Sequence, residues 1–162
     1  MLPCAALMFL RLAVVEVPPL LAKDPPPHAA TVTAVDPIKA REVADSLVRS
    51  VIANKYAAVH AGMEQAFRDA ISEQEIKPAL ARLYEPYGKP LEAEYKMQEE
   101  GYRQYQNGMK KPMRKLWYAI RTAAQPKGKY FLFVEVVPDG KALAAASLQI
   151  VGFVGDPPAA LK

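Results

Sequence analysis

The stretch LEAEYKMQ, residues 91–98, decides the fold because the period of the hydrophobic pattern changes there. Charged or polar side chains alternate with apolar ones at Leu91, Ala93, Tyr95 and Met97. A period of two is typical of a β-strand that buries one of its faces. We therefore predict a strand that begins here and runs as far as Tyr105.

Three more strands are predicted downstream, with a turn signal before each of them. The strands occupy residues 113–123, 130–137 and 143–153. The turn signals are Asn107-Gly108, residues 126–129 and Asp139-Gly140. Because consecutive strands joined by short turns pair with each other, this order predicts an antiparallel meander.

The residues before the sheet have a helical period instead. Asp36-Pro37 is a start signal, since Asp caps a helix and Pro is tolerated at its first position. A short second helix follows, and Ser72 with Glu75 forms a capping box for a third. Residues 67–71 lie between them in a turn or another short helical piece. The prediction is an α+β fold, with three N-terminal helices packed on a curved four-stranded antiparallel sheet.

The two ends of the chain differ from this domain, which we place at residues 36–154. Residues 1–22 are mostly apolar but contain charges and the pair Pro18-Pro19, so they predict no stable membrane span. They fit a degraded signal peptide or a loose tail. In the first case the protein is periplasmic or secreted, and otherwise it is cytoplasmic. Residues 23–35 read as a Pro-rich linker and residues 155–162 as a flexible tail.

Three turn and cap signals together resemble a known superfamily. They are NKYAAV at 54–59, SEQ at 72–74 and YGKPL at 87–91. In this order they are similar to the nuclear-transport-factor-two-like (cystatin-like cone) superfamily, and within it to small uncharacterised bacterial domains that are usually exported. The resemblance covers residues 37–154 and implies a cone that encloses a pocket. The superfamily contains isomerases, dehydratases, ligand carriers and interaction modules, so it does not imply one activity.

Residue types that carry common chemistry are sparse. Cys4 is the only cysteine, which excludes an intrachain disulfide, and His28 and His60 are the only histidines. No acidic cluster surrounds them, so the sequence predicts no metal site. No Gly-rich phosphate loop or Gly-x-Ser-x-Gly motif occurs, and no cofactor is predicted.

Two tyrosines define the predicted interior site. Tyr95 and Tyr118 have the apolar parity of their strands and are expected to point inward. An isomerase-like site would pair such a hydroxyl with a carboxylate base. No Asp shares this parity on any strand, and Glu92 and Glu135 fall on the opposite face. The inward tyrosines are therefore also consistent with plain core positions.

The opposite face of the sheet is predicted to carry aromatic side chains and an arginine. They are Trp117, Arg121, Phe131 and Phe133, with Phe153 beside them. If exposed, they would form an apolar surface of the kind that marks an interface, here a homodimer through the sheet. The alternative is that both faces of the sheet are covered and that these side chains are buried.

The net charge is +4, and its basic excess lies within residues 89–129. The cluster at 110–115 has aromatic residues nearby, which is one pattern of nucleic-acid binding. Because the patch is short, a solvated hairpin tip is favoured and nucleic acid is disfavoured. We expect a non-catalytic accessory module that binds a protein partner or a small apolar ligand. An isomerase- or hydratase-like enzyme that uses the cone interior is the alternative.

Overall fold

The computed structural model of the chain describes residues 34–124, 130–153 and 161. Its helices are α1 (Pro37–Ile52), α2 (Tyr56–Gly62), α3 (Gln65–Ala70) and α4 (Glu73–Tyr84). Its strands are β1 (Pro90–Gln104), β2 (Lys110–Thr122), β3 (Tyr130–Asp139) and β4 (Ala142–Gly152). The predicted apolar segment 1–22, the linker up to residue 33 and the turn at 126–129 lie outside the described residues. So does the predicted tail, apart from Leu161.

The α+β class and the antiparallel meander are confirmed. The four strands form one open sheet in the order β1-β2-β3-β4, and every neighbouring pair is antiparallel. The sequence reveals this order because each strand is joined to the next by a short connection. β1 and β4 are the two edges of the sheet, and α1 packs across all four strands.

The predicted helix starts are confirmed by their capping hydrogen bonds. The Asp36 carboxylate accepts the backbone N–H groups of Ile38 at 2.8 Å and Lys39 at 3.2 Å. These two donors lower the pKa of Asp36 below its ordinary value of 3.8. At α4, the Glu75 carboxylate accepts the backbone N–H of Ser72 at 2.8 Å, which completes the predicted capping box.

The number of helices is four, not three. The additional helix is α3, which has only six residues. Its first turn is closed by hydrogen bonds from the N–H groups of Phe67 and Arg68 to the carbonyl of Glu64. The sequence left a turn or another short helical piece open at residues 67–71, because six residues show too little of the 3.6-residue period to decide between them. No helix in the described part of the chain has both the length and the hydropathy to cross a membrane.

A β-bulge in β1 interrupts the alternation from which the strand was predicted. Tyr95 pairs with Tyr118, but Met97 pairs with Trp117, so Lys96 is an extra residue in β1. Neighbours along β2 point to opposite faces. Tyr95 therefore lies on the helix-facing side of the sheet, and Met97 lies on the other side.

Each face of the sheet has buried side chains. On the helix-facing side, the apolar stripe of α1 packs against β2, β3 and β4 in one core. The main sheet residues of this core are Leu116, Tyr118, Ile120, Leu132, Val134, Val136, Leu148 and Ile150. On the opposite side, Phe131 and Phe133 expose only 4% and 6% of their surface. Phe131 and Phe133 are thus covered within the single chain, whereas Trp117 and Phe153 are only half-buried.

Candidate functional site

An ion pair on α1 is placed against the sheet by helical spacing. Arg41 and Asp45 are four residues apart and so lie on the same side of the helix. The Arg41 Nε donates to Asp45 Oδ1 at 2.8 Å and to Asp45 Oδ2 at 2.9 Å. The Arg41 side chain remains 38% exposed, so the pair sits at the margin of the core.

The same carboxylate is reached from the sheet by Tyr118. The Tyr118 hydroxyl donates to Asp45 Oδ1 at 2.7 Å, although 73 residues separate the two in the chain. Burial, and then this hydrogen bond, raise the pKa of Tyr118 well above its ordinary value of 10. The hydroxyl therefore stays protonated and serves as a donor to the carboxylate.

Tyr95 completes the group. It lies opposite Tyr118 across the β1–β2 ladder, with ring centroids 5.8 Å apart and planes inclined at 71°. The guanidinium carbon of Arg41 lies 3.5 Å from the centre of the Tyr95 ring, a cation–π contact. The guanidinium is held by this ring and by the Asp45 carboxylate together.

These side chains line a cleft between α1 and the β1–β2 edge of the sheet, which we call the Arg41 cleft. Its volume is about 210 Å³. The lining residues are Arg41, Asp45, Val48, Arg49, Ile52, Ala93, Tyr95 and Tyr118. The cleft therefore combines an apolar wall with a charged end.

A second, larger cleft lies between α1, α2 and the β3–β4 hairpin. Its volume is about 350 Å³, and most of its lining is small and apolar, with Ala58, Ala61 and Ala142 among the residues. Its polar group is the ion pair of Arg68 with Asp139 at 3.4 Å. None of the residues predicted as binding residues lines it.

The remaining predicted residues lie on the other face of the sheet. The rings of Trp117 and Phe133 are 4.9 Å apart, and Phe131 contacts Phe153 at 5.5 Å. Arg121 donates from Nε to Glu92 at 2.9 Å on the neighbouring strand. The structure thus brings the aromatic residues together but buries Phe131 and Phe133, and it gives Arg121 a carboxylate partner.

Acidic residues pair with the basic cluster of the β1–β2 hairpin. Lys111 lies 3.4 Å from the buried Glu64, and Lys115 lies 3.7 Å from Glu135. Arg114 pairs with Glu100. These partners reduce the positive field that binding to a phosphate backbone requires.

His60 has a structural contact. Its Nε2 lies 2.8 Å from the backbone carbonyl of Ile71, so this ring nitrogen carries a proton and donates it. Within residues 34–124 and 130–153, no group of three or more His, Cys, Asp or Glu side chains could hold a metal ion. His28 lies outside the described residues.

The prediction from sequence missed Arg41 and Asp45, because it searched for a carboxylate only on the strands. The available signal was an oppositely charged pair at i and i+4 beside the apolar stripe of α1, which is common on exposed helices.

Comparison of the chain with protein-family models, curated proteins and solved structures found no match.

Proposed function

We propose that the protein is a non-catalytic module that binds a small ligand in the Arg41 cleft. The observation that carries this proposal is that the Arg41 side chain is held in place but still has free hydrogen-bond donors. Its guanidinium is fixed by Tyr95 and Asp45, while its terminal nitrogens Nη1 and Nη2 have no hydrogen-bond partner in the described part of the chain. A fixed donor with unused hydrogen-bonding capacity beside a cleft is suited to orient a ligand.

The size and lining of the cleft support a small, partly apolar ligand. Pockets for drug-sized ligands occupy roughly 300–1,000 Å³, and the Arg41 cleft is smaller, at about 210 Å³. Val48, Ile52 and Ala93 offer apolar contact. The cone shape implied by the superfamily resemblance remains part of this proposal, with the cleft as an opening beside its first helix.

The hydrogen bonding of Asp45 favours binding over catalysis. A general base needs a free lone pair directed at the proton that it removes from the substrate. Asp45 instead accepts Arg41 Nε on both oxygens and the Tyr118 hydroxyl on one of them. These donors occupy lone pairs on both carboxylate oxygens, so fewer lone pairs are left to accept a proton from a substrate.

An isomerase- or hydratase-like enzyme is the second candidate, because one specific observation favours it. Asp45 and Tyr118 are a carboxylate and a hydroxyl within 2.7 Å at one cleft. Asp45→Asn separates the two candidates, since it removes the base but keeps an oxygen that accepts the same hydrogen bonds. An enzyme would lose turnover of its substrate and still bind it, whereas a binding module has no turnover to lose.

We do not assign self-association to Phe131 and Phe133. An interface residue must be exposed in the free subunit, and the two phenylalanines are covered in the single chain. A protein partner remains compatible with the proposal if it inserts one side chain into the Arg41 cleft.

The test is an NMR titration of the ¹⁵N-labelled protein with four small probes that share one ring. The probes are sodium benzoate, benzamide, benzyl alcohol and benzylamine. At least one should shift the backbone amides of Asp45, Ala93 and Tyr95 saturably. No saturable shift with any probe would refute ligand binding in this cleft.

A pair of leucine variants localises the binding. Ala93→Leu fills the cleft and should abolish the shifts. Glu94→Leu adds the same side chain on the opposite face of β1, where the Glu94 side chain is 74% exposed, and should leave them unchanged. Equal binding by both variants would place the ligand elsewhere.

A further inference from the structure

We infer that the ligand of the Arg41 cleft is a small carboxylate carried on an apolar body. This inference rests on the proposed function and names the chemical class of the ligand. It follows from the unused donors of Arg41, the charge balance of the lining and the apolar wall beside them.

The unused donors of Arg41 match a carboxylate. A guanidinium has five N–H groups in a fixed plane, and the single group on Nε is directed at Asp45. Four N–H groups on Nη1 and Nη2 remain without a partner among residues 34–124 and 130–153. Two parallel N–H groups at this end of the plane can bind both oxygens of one carboxylate.

The guanidinium is also held in place before the ligand arrives. Immobilising a flexible side chain on binding costs conformational entropy, which weakens the affinity. The stack on Tyr95 at 3.5 Å and the two contacts with Asp45 already restrict Arg41. Much of this cost is therefore met in the free protein, which favours binding of even a small anion.

The charges of the lining favour an anion over a cation. Arg41 and Arg49 outnumber the single carboxylate of Asp45. Arg49 is exposed and has no side-chain ion pair or hydrogen bond in the described part of the chain. It lies eight residues after Arg41, two turns along the same side of α1. A cationic ligand would face this excess without a free carboxylate to bind it.

The rest of the lining determines what carries the carboxylate. Val48, Ile52 and Ala93 present aliphatic surface next to the charged end. The Tyr118 hydroxyl already donates to Asp45 and is not available as a second donor. An acid with one carboxylate on a hydrocarbon body therefore fits better than a polyhydroxylated acid or inorganic phosphate.

The experiment compares sodium benzoate with benzamide, which has the same ring without the charge, and with inorganic phosphate. Dissociation constants are measured by NMR titration of the full chain. Because hydrogen bonds to charged groups are worth about 1.5–3 kcal/mol, benzamide should bind about ten- to a hundredfold more weakly than benzoate. Phosphate should bind more weakly than benzoate, because it makes no contact with the aliphatic wall.

Arg41→Lys tests the geometry separately from the charge. Lysine keeps the positive charge but loses the planar pair of donors, so the affinity for benzoate should fall about tenfold. The affinity for benzamide should fall less, because its single carbonyl oxygen needs only one donor. Arg82→Lys, at an exposed position on α4, is the matched control and should change neither affinity.

The outcomes distinguish failure of the carboxylate assignment from failure of ligand binding in the cleft. If benzamide binds as tightly as benzoate, the carboxylate assignment is overturned while the cleft remains a ligand site. If phosphate binds as tightly as benzoate, the apolar body is overturned. If none of the probes tested binds at the cleft, the proposed function fails as well.

Discussion

At the scale of single residues, the hydrogen bond between Tyr118 and Asp45 joins the sheet to α1. Tyr118 is 2% exposed, and its hydroxyl donates to a charged acceptor at 2.7 Å. Tyr118→Phe should lower the free energy of unfolding by about 1.5 kcal/mol, since Asp45 keeps Arg41 as a partner. Urea unfolding at pH 7 measures this change.

The matched control for this variant is Tyr102→Phe. Tyr102 is 68% exposed, and its hydroxyl makes no hydrogen bond within the described residues. Its removal should change the free energy of unfolding by less than about 0.5 kcal/mol. Equal effects of the two variants would mean that the Tyr118 hydroxyl contributes nothing specific.

Alkaline pH provides a second prediction at this scale. Burial raises the pKa values of Tyr84, Tyr105 and Tyr118 above their ordinary value of 10. Above pH 10 the unfolded chain loses these protons while the folded chain keeps them, so the folded state binds more protons. Stability should therefore be unaffected by these groups below pH 10 and should fall as the pH rises further.

The variant Tyr118→Phe should make this decline shallower, by an amount that approaches about 1.4 kcal/mol per pH unit above pH 11. Chemical unfolding between pH 8 and pH 11.5 measures the slope in both proteins. Identical slopes would contradict a raised pKa for Tyr118.

At the scale of elements, features that depend on neighbouring residues were predictable from the sequence, whereas contacts between residues far apart in the chain were not. The starts of α1 and α4 depend on residues within four positions of Asp36 and Ser72, so both were predicted. The partner of Tyr118 was missed because it lies 73 residues away on a helix. The bulge at Lys96 was missed because the apolar alternation continues through Met97, and no residue type there requires a bulge.

The cap of α1 gives a prediction for one element. Asp36→Ala removes the carboxylate that accepts two backbone N–H groups and should measurably lower the free energy of unfolding, because these donors lose their partner. Asp36→Asn keeps an accepting oxygen and should cost only a few tenths of that amount. Thermal unfolding of both variants measures the difference, and equal losses would argue against capping as the cause.

At the scale of the whole molecule, the faces of the sheet were predictable but their covering was not. Alternation assigned Phe131 and Phe133 to the side opposite the helices, as observed. It could not show that this side is covered too, because the pattern of one strand does not reveal what packs on it. The predicted homodimer depended on this exposure.

The covering of this face predicts the behaviour of Phe133→Ala. Truncating a buried phenylalanine should lower the free energy of unfolding by about 3–5 kcal/mol without changing the oligomeric state. Urea unfolding and light scattering after size exclusion measure the two quantities. If Phe133→Ala instead turned a dimer into a stable monomer, that result would support self-association through the sheet. The control variant Tyr102→Ala should change neither the free energy of unfolding nor the oligomeric state.

The central claim is that the Arg41 cleft binds a small carboxylate. A crystal structure of the protein grown with sodium benzoate tests it most directly. We expect the carboxylate oxygens within hydrogen-bond distance of Arg41 Nη1 and Nη2, with the ring against Val48, Ile52 and Ala93. Benzoate bound elsewhere, or a cleft filled only by water at saturating benzoate, would contradict the claim.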